Sequence, residues 1–350
     1  MNRELAMKVA NAVLYEGYML YPYRPSAIKN RQRWSFGILY PPAYHEIATG
    51  TERSEMHSEC LVRLSHPFAN NGRKDGAPAI LQVQLRFLHL MSREVGSVTA
   101  DGFEPVPSLS IDGMLIEPSD ESVERSVECE LALRDGVPQG FPFSFAAVME
   151  TEALHGANAQ VAGEIRRTQK ELSGTISVST QELGQDLVKL TVDVANTSLL
   201  PAEDPGDRDS ALLGSLLSAH TILSITGGEF VSLLDPPEDL RQAVSECRNI
   251  GNFPVLVGAE GERDMMLCSP IVLYDYPQIA PESAGDFFDG TEMDEMLTLR
   301  VMTLTDEEKD QMRGGNDHVR DLLQRTEASA REQLMRTHGT IRSMKPVNEP

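Results

Sequence analysis

LQVQLRF, residues 81–87, places Leu81, Val83, Leu85 and Phe87 on alternate positions, with Gln82, Gln84 and Arg86 between them. A period of two sends successive side chains to opposite faces, so this segment predicts an antiparallel strand with one apolar and one wet face. The same alternation recurs twice. Val123, Val127, Cys129, Leu131 and Leu133 interleave with Glu124, Glu128 and Glu130; Val188, Leu190, Val192 and Val194 interleave with Lys189, Thr191 and Asp193. With Gly-, Asn- and Pro-bearing turns between them, these segments predict an antiparallel sheet or sandwich over about 55–200.

A helix precedes that region. Leu5, Val9, Ala12 and Val13 recur at helical spacing, and Gly17, Pro22 and Pro25 end the helix after Tyr15. The polar run PAEDPGDRDS from Pro201 marks a linker, so the chain divides into a β-rich part over 1–200 and a mixed α/β part over 201–340, with a loose tail at 341–350. In the second part, Leu212, Leu213, Leu216 and Leu217 suggest a helix, while Thr221–Ile225, Phe253–Val257 and Met265–Leu273 suggest strands. Asp235-Pro-Pro-Glu238 has the spacing of a capping box, with Asp235 as cap. Helices opening at Thr291 and Thr305, and a last one over about 317–336, complete the expectation. The fold class is therefore α+β, β-rich first and helix-rich at its C-terminal end.

The 350 residues carry 31 basic and 53 acidic side chains, a net charge of −22. Such a charge repels nucleic-acid phosphate and anionic lipid, so neither is an expected partner. No run of 18 apolar residues and no signal-like start occur, and Cys60, Cys129, Cys247 and Cys268 lack C-x-x-C spacing. Reduced thiols in a cytoplasm are the expectation.

All eight tyrosines fall in two strips of opposite sign. Between Gly17 and His45 there is no acid, and Tyr21, Tyr23, Arg24, Lys29, Arg31, Arg33 and Trp34 cluster. Tyr, Trp and Arg are the residue types that dominate protein–protein hot spots, which makes these seven candidate partner-binding residues. They can equally be core aromatics with arginines paired to the acidic remainder of the fold. The second strip, from Leu273 to Glu295, holds no Lys or Arg and gathers Glu282, Asp286, Asp289 and Glu292, oxygen donors suited to magnesium or calcium. Acids at a turn into a helix also favour the helix dipole with no metal present. His57, Cys60 and His66 form a second candidate metal set, suited to zinc or nickel but short of a fourth donor; Cys60 also fits a core position.

The familiar catalytic signatures are absent: no G-x-x-x-x-G-K, G-x-G-x-x-G, G-x-S-x-G or H-E-x-x-H occurs. No catalytic residue and no cofactor can be named. His89 continues the buried parity of its strand. His220 is better placed for a site, yet no nucleophile or carboxylate accompanies it in sequence.

LYEGYMLYPYRPSAIKNRQRWSFG at 14–37 and SPIVLYDYPQIAPESAGDFFDGTEMDEMLTLR at 269–300, with GEFVSLLDPP from Gly228 and GNFPVLVG from Gly251, resemble a family of bacterial proteins. That family is encoded in gene clusters of high-affinity, actinobacterial-type nickel-iron hydrogenases, and it brings no residue roles to carry over. The resemblance implies an accessory role around hydrogenase assembly, maturation or electron coupling, with a hydrogenase subunit or maturation factor as partner. A metal-dependent enzyme using the C-terminal carboxylates and a nickel- or iron-handling protein are the alternatives.

Overall fold

The computed structural model describes residues 3–15, 36–48, 52–66, 78–99, 102–134, 136–184, 186–200 and 206–278, with Lys309, Arg313, Leu323 and Gln324 as helical positions beyond them. Its frame is antiparallel β structure across 55–269 with a few short helices. Helix α1 spans Arg3–Tyr15 and α2 Pro42–Ile47. The strands follow as β1 Glu55–Leu64, β2 Ile80–Thr99, β3 Gly102–Pro105, β4 Leu109–Ile111, β5 Met114–Ile116, β6 Ser119–Ala132, β7 Gln139–Phe145, β8 Val148–His155, β9 Val161–Gln169, β10 Leu172–Glu182 and β11 Leu187–Asn196. Helix α3 Arg208–Leu212 leads to β12 Leu217–Thr226 and β13 Gly228–Phe230; helix α4 Arg241–Ser245 precedes β14 Phe253–Leu256 and β15 Met265–Ser269.

Two sheets stack. The first runs β13-β1-β11-β10-β7, the second β14-β15-β12-β2-β9-β8, with β3 and β6 also pairing β2. The alternation at 81–87 puts Leu81, Val83, Leu85 and Phe87 into the shared core, where they meet Cys60, Val62, Ile176, Val178, Leu190 and Val192 of the opposite sheet. The outer face of the second sheet is covered as well: Ala6, Val9, Ala10 and Val13 of α1 pack on Ile222, Val255, Val257, Met265 and Leu267. A central sheet covered on both faces needs no polar alternation, and β15 accordingly reads MMLCS with all five residues buried.

Strand β2 is long enough to serve two cores. Residues 80–93 pair with β6, 92–96 with β9 and 96–99 with β3. Its far end contributes Val95 to a second cluster with Ile111, Ile116 and Ile165. Between the two cores lies a charged belt on the same face. Arg93 and Arg167 share Glu121, Arg167 also reaches Glu152 at 2.7 Å, and Arg125 lies 4.7 Å over the Phe145 ring.

The expectation of a helix-rich C-terminal part is corrected for the described residues. Residues 206–278 contribute four strands and two five-residue helices. The leucines expected to form a helix are split, with Leu212 ending α3 and Leu217 opening β12, because Gly214 and Ser215 turn the chain back on Ala211 and Leu212. A short apolar run fits a helix or a doubly buried strand equally, and here the sheet takes it. The expected strands over 253–257 and 265–273 are present in shorter form. The helices expected beyond 290 fall outside the described residues, apart from the four helical positions named above.

Candidate functional site

The seven residues of the basic strip, Tyr21, Tyr23, Arg24, Lys29, Arg31, Arg33 and Trp34, lie outside the described residues, as do Glu282, Asp286, Asp289 and Glu292. His57, Cys60 and His66 are described, and they do not converge. Positions 57 and 60 differ by an odd number, so the strand period sends them to opposite faces. Cys60 is 1% exposed within the core, and His66 lies beyond the end of β1. Burial drives the Cys60 thiol well above the ordinary range. Among the described residues no three His, Cys, Asp or Glu side chains are arranged to hold a metal.

His57 instead belongs to a surface ion network. Its Nδ1 lies 2.6 Å from Asp193 Oδ1 and its Nε2 3.7 Å from Glu59 Oε1, which Lys189 Nζ approaches to 3.1 Å. Burial alone would raise the Glu59 carboxyl, but the Arg248 amide and the Lys189 ammonium outweigh it and hold it below the usual range. Backbone bonds between His57 and Ile250, and the Asn249 side chain on Glu59, strap the 247–252 loop to β1. This cluster fastens a loop.

His89 and His220 are fully buried. His220 Nδ1 bonds the Ser218 carbonyl at 2.8 Å within a bulge of β12 where Ser218 has φ +51°. Beside it in register stands Arg86, whose guanidinium donates to Asn11 and Glu124, and the Tyr15 hydroxyl donates to the same Glu124. This network anchors the end of α1. With no exposed surface, neither histidine can reach a substrate.

The site with a free face lies at the outer edge of the second sheet, and it is built from the quoted runs. From GEFVSLLDPP, Ser232 donates its hydroxyl to Asp275 Oδ2 at 2.5 Å, while its oxygen accepts the amides of Leu234 and Asp235. Ser232 therefore performs the turn-forming role expected of Asp235; the short helix over Glu238–Leu240 has Pro237 before it and no side-chain cap. From GNFPVLVG, the Leu256 amide donates to Asp275 Oδ1 at 2.8 Å, and its carbonyl accepts from the Tyr276 amide at 2.8 Å. The Tyr276 hydroxyl reaches the Glu262 carbonyl at 2.9 Å, with Tyr276 held at φ +55°, sparsely populated for a bulky residue. Asp275 thus knots three runs together.

The end of the first strip arrives at the same place. The Phe36 and Gly37 carbonyls accept the Ser218 and Ala219 amides, and Gly37 packs on Pro270. Phe253 lies opposite Ser269 in the β14–β15 ladder. Past Ser269, Ile271 and Leu273 turn in against α1 and β14, so Val272 and Tyr274 turn out. Phe36, Phe253 and Tyr274, at 47%, 47% and 62% exposure, are the exposed aromatics among the described residues; Phe36 precedes Gly37, Phe253 pairs with the residue before Pro270, and Tyr274 follows Pro270 along the chain. Val272 at 74% exposure and Leu234 add aliphatic surface. Sequence patterning passes over them because 271–274 is apolar at every position, with no polar residue to mark the outward face.

No family model matches the chain, and no curated protein matches it. Among solved structures, the Salmonella SPI-1 type III secretion injectisome secretin InvG (residues 176 to the end, open gate state) aligns at 13% identity over 58% of this chain and 48% of that chain. The TM-score is 0.10, so that alignment carries no argument, and this chain spans about half the length of the secretin chain.

Proposed function

We propose that this protein is a non-enzymatic accessory or assembly factor for a nickel-iron hydrogenase, acting by protein–protein recognition in the cytoplasm. One observation carries the reading. Runs that bear the resemblance to the hydrogenase-associated family, far apart in sequence, are fastened to one another through Asp275, and Leu234 and Tyr274, next to the bonded residues, are exposed to solvent. Exposed aromatics on a fixed backbone are what recognition of another protein uses. The four unpaired cysteines fit a reducing compartment. The partner in this reading is a hydrogenase subunit or maturation factor.

Tagged protein purified from a hydrogenase-expressing host tests the proposal. A subunit or maturation factor in stoichiometric amount is the expected result, and its absence removes the reading. Deleting the gene and scoring both hydrogenase activity and subunit processing then separates a maturation role, in which both fail, from a late coupling role, in which activity alone fails.

A further inference from the structure

Beyond the accessory role, we infer that strand β8 is a docking edge. It takes an extended segment of a partner protein laid antiparallel beside it, with a lysine or arginine opposite Glu150 and apolar or β-branched residues on either side of that base. β8 ends the second sheet beyond β9, and among the described residues no backbone group outside β9 bonds to it. Its register with β9 runs unbroken from Val148 to Leu154. Residues 148–153 are exposed without exception, Met149 at 69%, so the strand buries neither face there and rests on a single ladder. Such a strand is marginal by itself and turns alternate N–H and C=O groups outward, a template for one more strand.

The remaining borders of the two sheets are guarded. Strand β14 has Pro254, with no amide to give, and Leu256 has its amide and carbonyl taken by Asp275 and Tyr276. β13 has three residues, and its Phe230 amide donates to the Arg263 carbonyl. β7 carries Pro142, and the four residues of β3 end in Pro105. β6 sets out Asp120, Glu121, Glu124, Glu128 and Glu130 along its length. Proline, shortness, borrowed bonds and dense charge are the usual protections of an edge. β8 has no proline, and among the described residues no bonded border.

The occupant follows from the charges on and behind β8. Glu150 and Glu152 share one face two residues apart, so two copies paired antiparallel about residue 150, 151 or 152 would set glutamate opposite glutamate. A second copy is therefore the wrong occupant. Behind the strand, Arg167 lies opposite Glu150 but bonds Glu121 and Glu152, while Arg166 lies 4.1 Å over the Phe103 ring and pairs with Glu164. Glu150 has no ion pair among the described residues, so a base on the incoming strand meets it uncontested. Met149, Thr151 and Ala153 alternate with the glutamates on the opposite face and suit apolar or β-branched neighbours.

Peptides selected from a random displayed library against the full chain test the edge without a hydrogenase present. Selected sequences are expected to carry Lys or Arg between apolar or β-branched residues. Hydrogen exchange is expected to show residues 148–153 protected when such a peptide, synthesised alone, is bound. Glu150→Lys is expected to weaken its binding about tenfold with an unchanged melting midpoint, while Glu130→Lys on β6 leaves the affinity unchanged. Selection that yields no such pattern, protection that falls outside β8, or an affinity lowered by Glu130→Lys and not by Glu150→Lys overturns the assignment. So does a dimer in sedimentation whose protected segment is 148–153, because a second copy would then hold the edge.

Discussion

Gly37 lies against Pro270: a Cβ built on Gly37 would stand 2.6 Å from Pro270 Cβ and 3.1 Å from the Ala219 carbonyl oxygen. The runs 14–37 and 269–300, separated by more than 200 residues of sequence, therefore enter one neighbourhood, and the backbone of Gly37, at φ +62°, is shaped for that approach. Any side chain there faces a left-handed backbone and a collision together.

Gly37→Ala is expected to destabilise by about 3 kcal/mol, the sum of the left-handed cost and overpacking against Pro270. Gly113, at φ +85° with open space around it, supplies the control: Gly113→Ala is expected to cost about 1 kcal/mol. Chemical denaturation of the two variants beside the parent measures the difference.

Asp275→Ala removes the acceptor of the Leu256 amide and of the Ser232 hydroxyl in one step. A loss of about 3 kcal/mol is expected, and about 1 kcal/mol for Ser232→Ala. Because the two groups touch, their double variant should fall short of the sum by about 1 kcal/mol, which a double-mutant cycle reads directly.

Much of this fold was legible in the chain. Residues 81–87, 123–133 and 188–194 announce their strands because each has one wet face, and the helix ending at Tyr15 shows its period plainly. After 206 the strands at 221–225, 253–257 and 265–269 are also expected, while Leu217 is assigned to a helix: α1 and the first sheet bury β12 and β15 on both faces, which erases the alternation that would have marked where β12 begins. The knot was not legible. Ser232, Leu256 and Asp275 are separated by 43 and 19 residues from their partners, and no periodicity records such a meeting. Strand parity sends His57 and Cys60 to opposite faces, which a spacing count of ligands ignores.

His89 and His220 make stability depend on pH. Burial first, with the charges of Arg125 and Arg86 adding to it, lowers their pKa to about 4 in the fold, and the Ser218 carbonyl only partly opposes this at His220. The unfolded chain protonates them near 6.5, so between about 6.5 and about 4 the unfolded state binds more protons and stability falls as pH falls. The loss is roughly 3 kcal/mol per histidine at most. Denaturation midpoints across that window should flatten in a His89→Leu, His220→Leu variant that folds, and an unchanged slope would assign the acid sensitivity to other groups.

The thiols should be inert in the folded state. Burial drives Cys60 well above the ordinary range and pushes Cys129, Cys247 and Cys268 up to about 11, so little thiolate exists near neutral pH. Alkylation at pH 8 is expected to label Cys129 and Cys247 slowly and to reach Cys60 and Cys268 only after denaturant is added, as peptide mass mapping can show.

The two-sided pairing of β2 also sets an order of assembly. A chain made from its N-terminus produces β2 by residue 99 and its neighbour β6 by residue 132, but β12, which closes the other flank over 80–88, begins only at Leu217. During that interval the nascent polypeptide carries Leu81, Val83, Leu85 and Phe87 on a half-made sheet with an unsatisfied border, the situation that chaperones exist to shelter. Translation speed between those points is then expected to bear on how much folded protein a cell recovers.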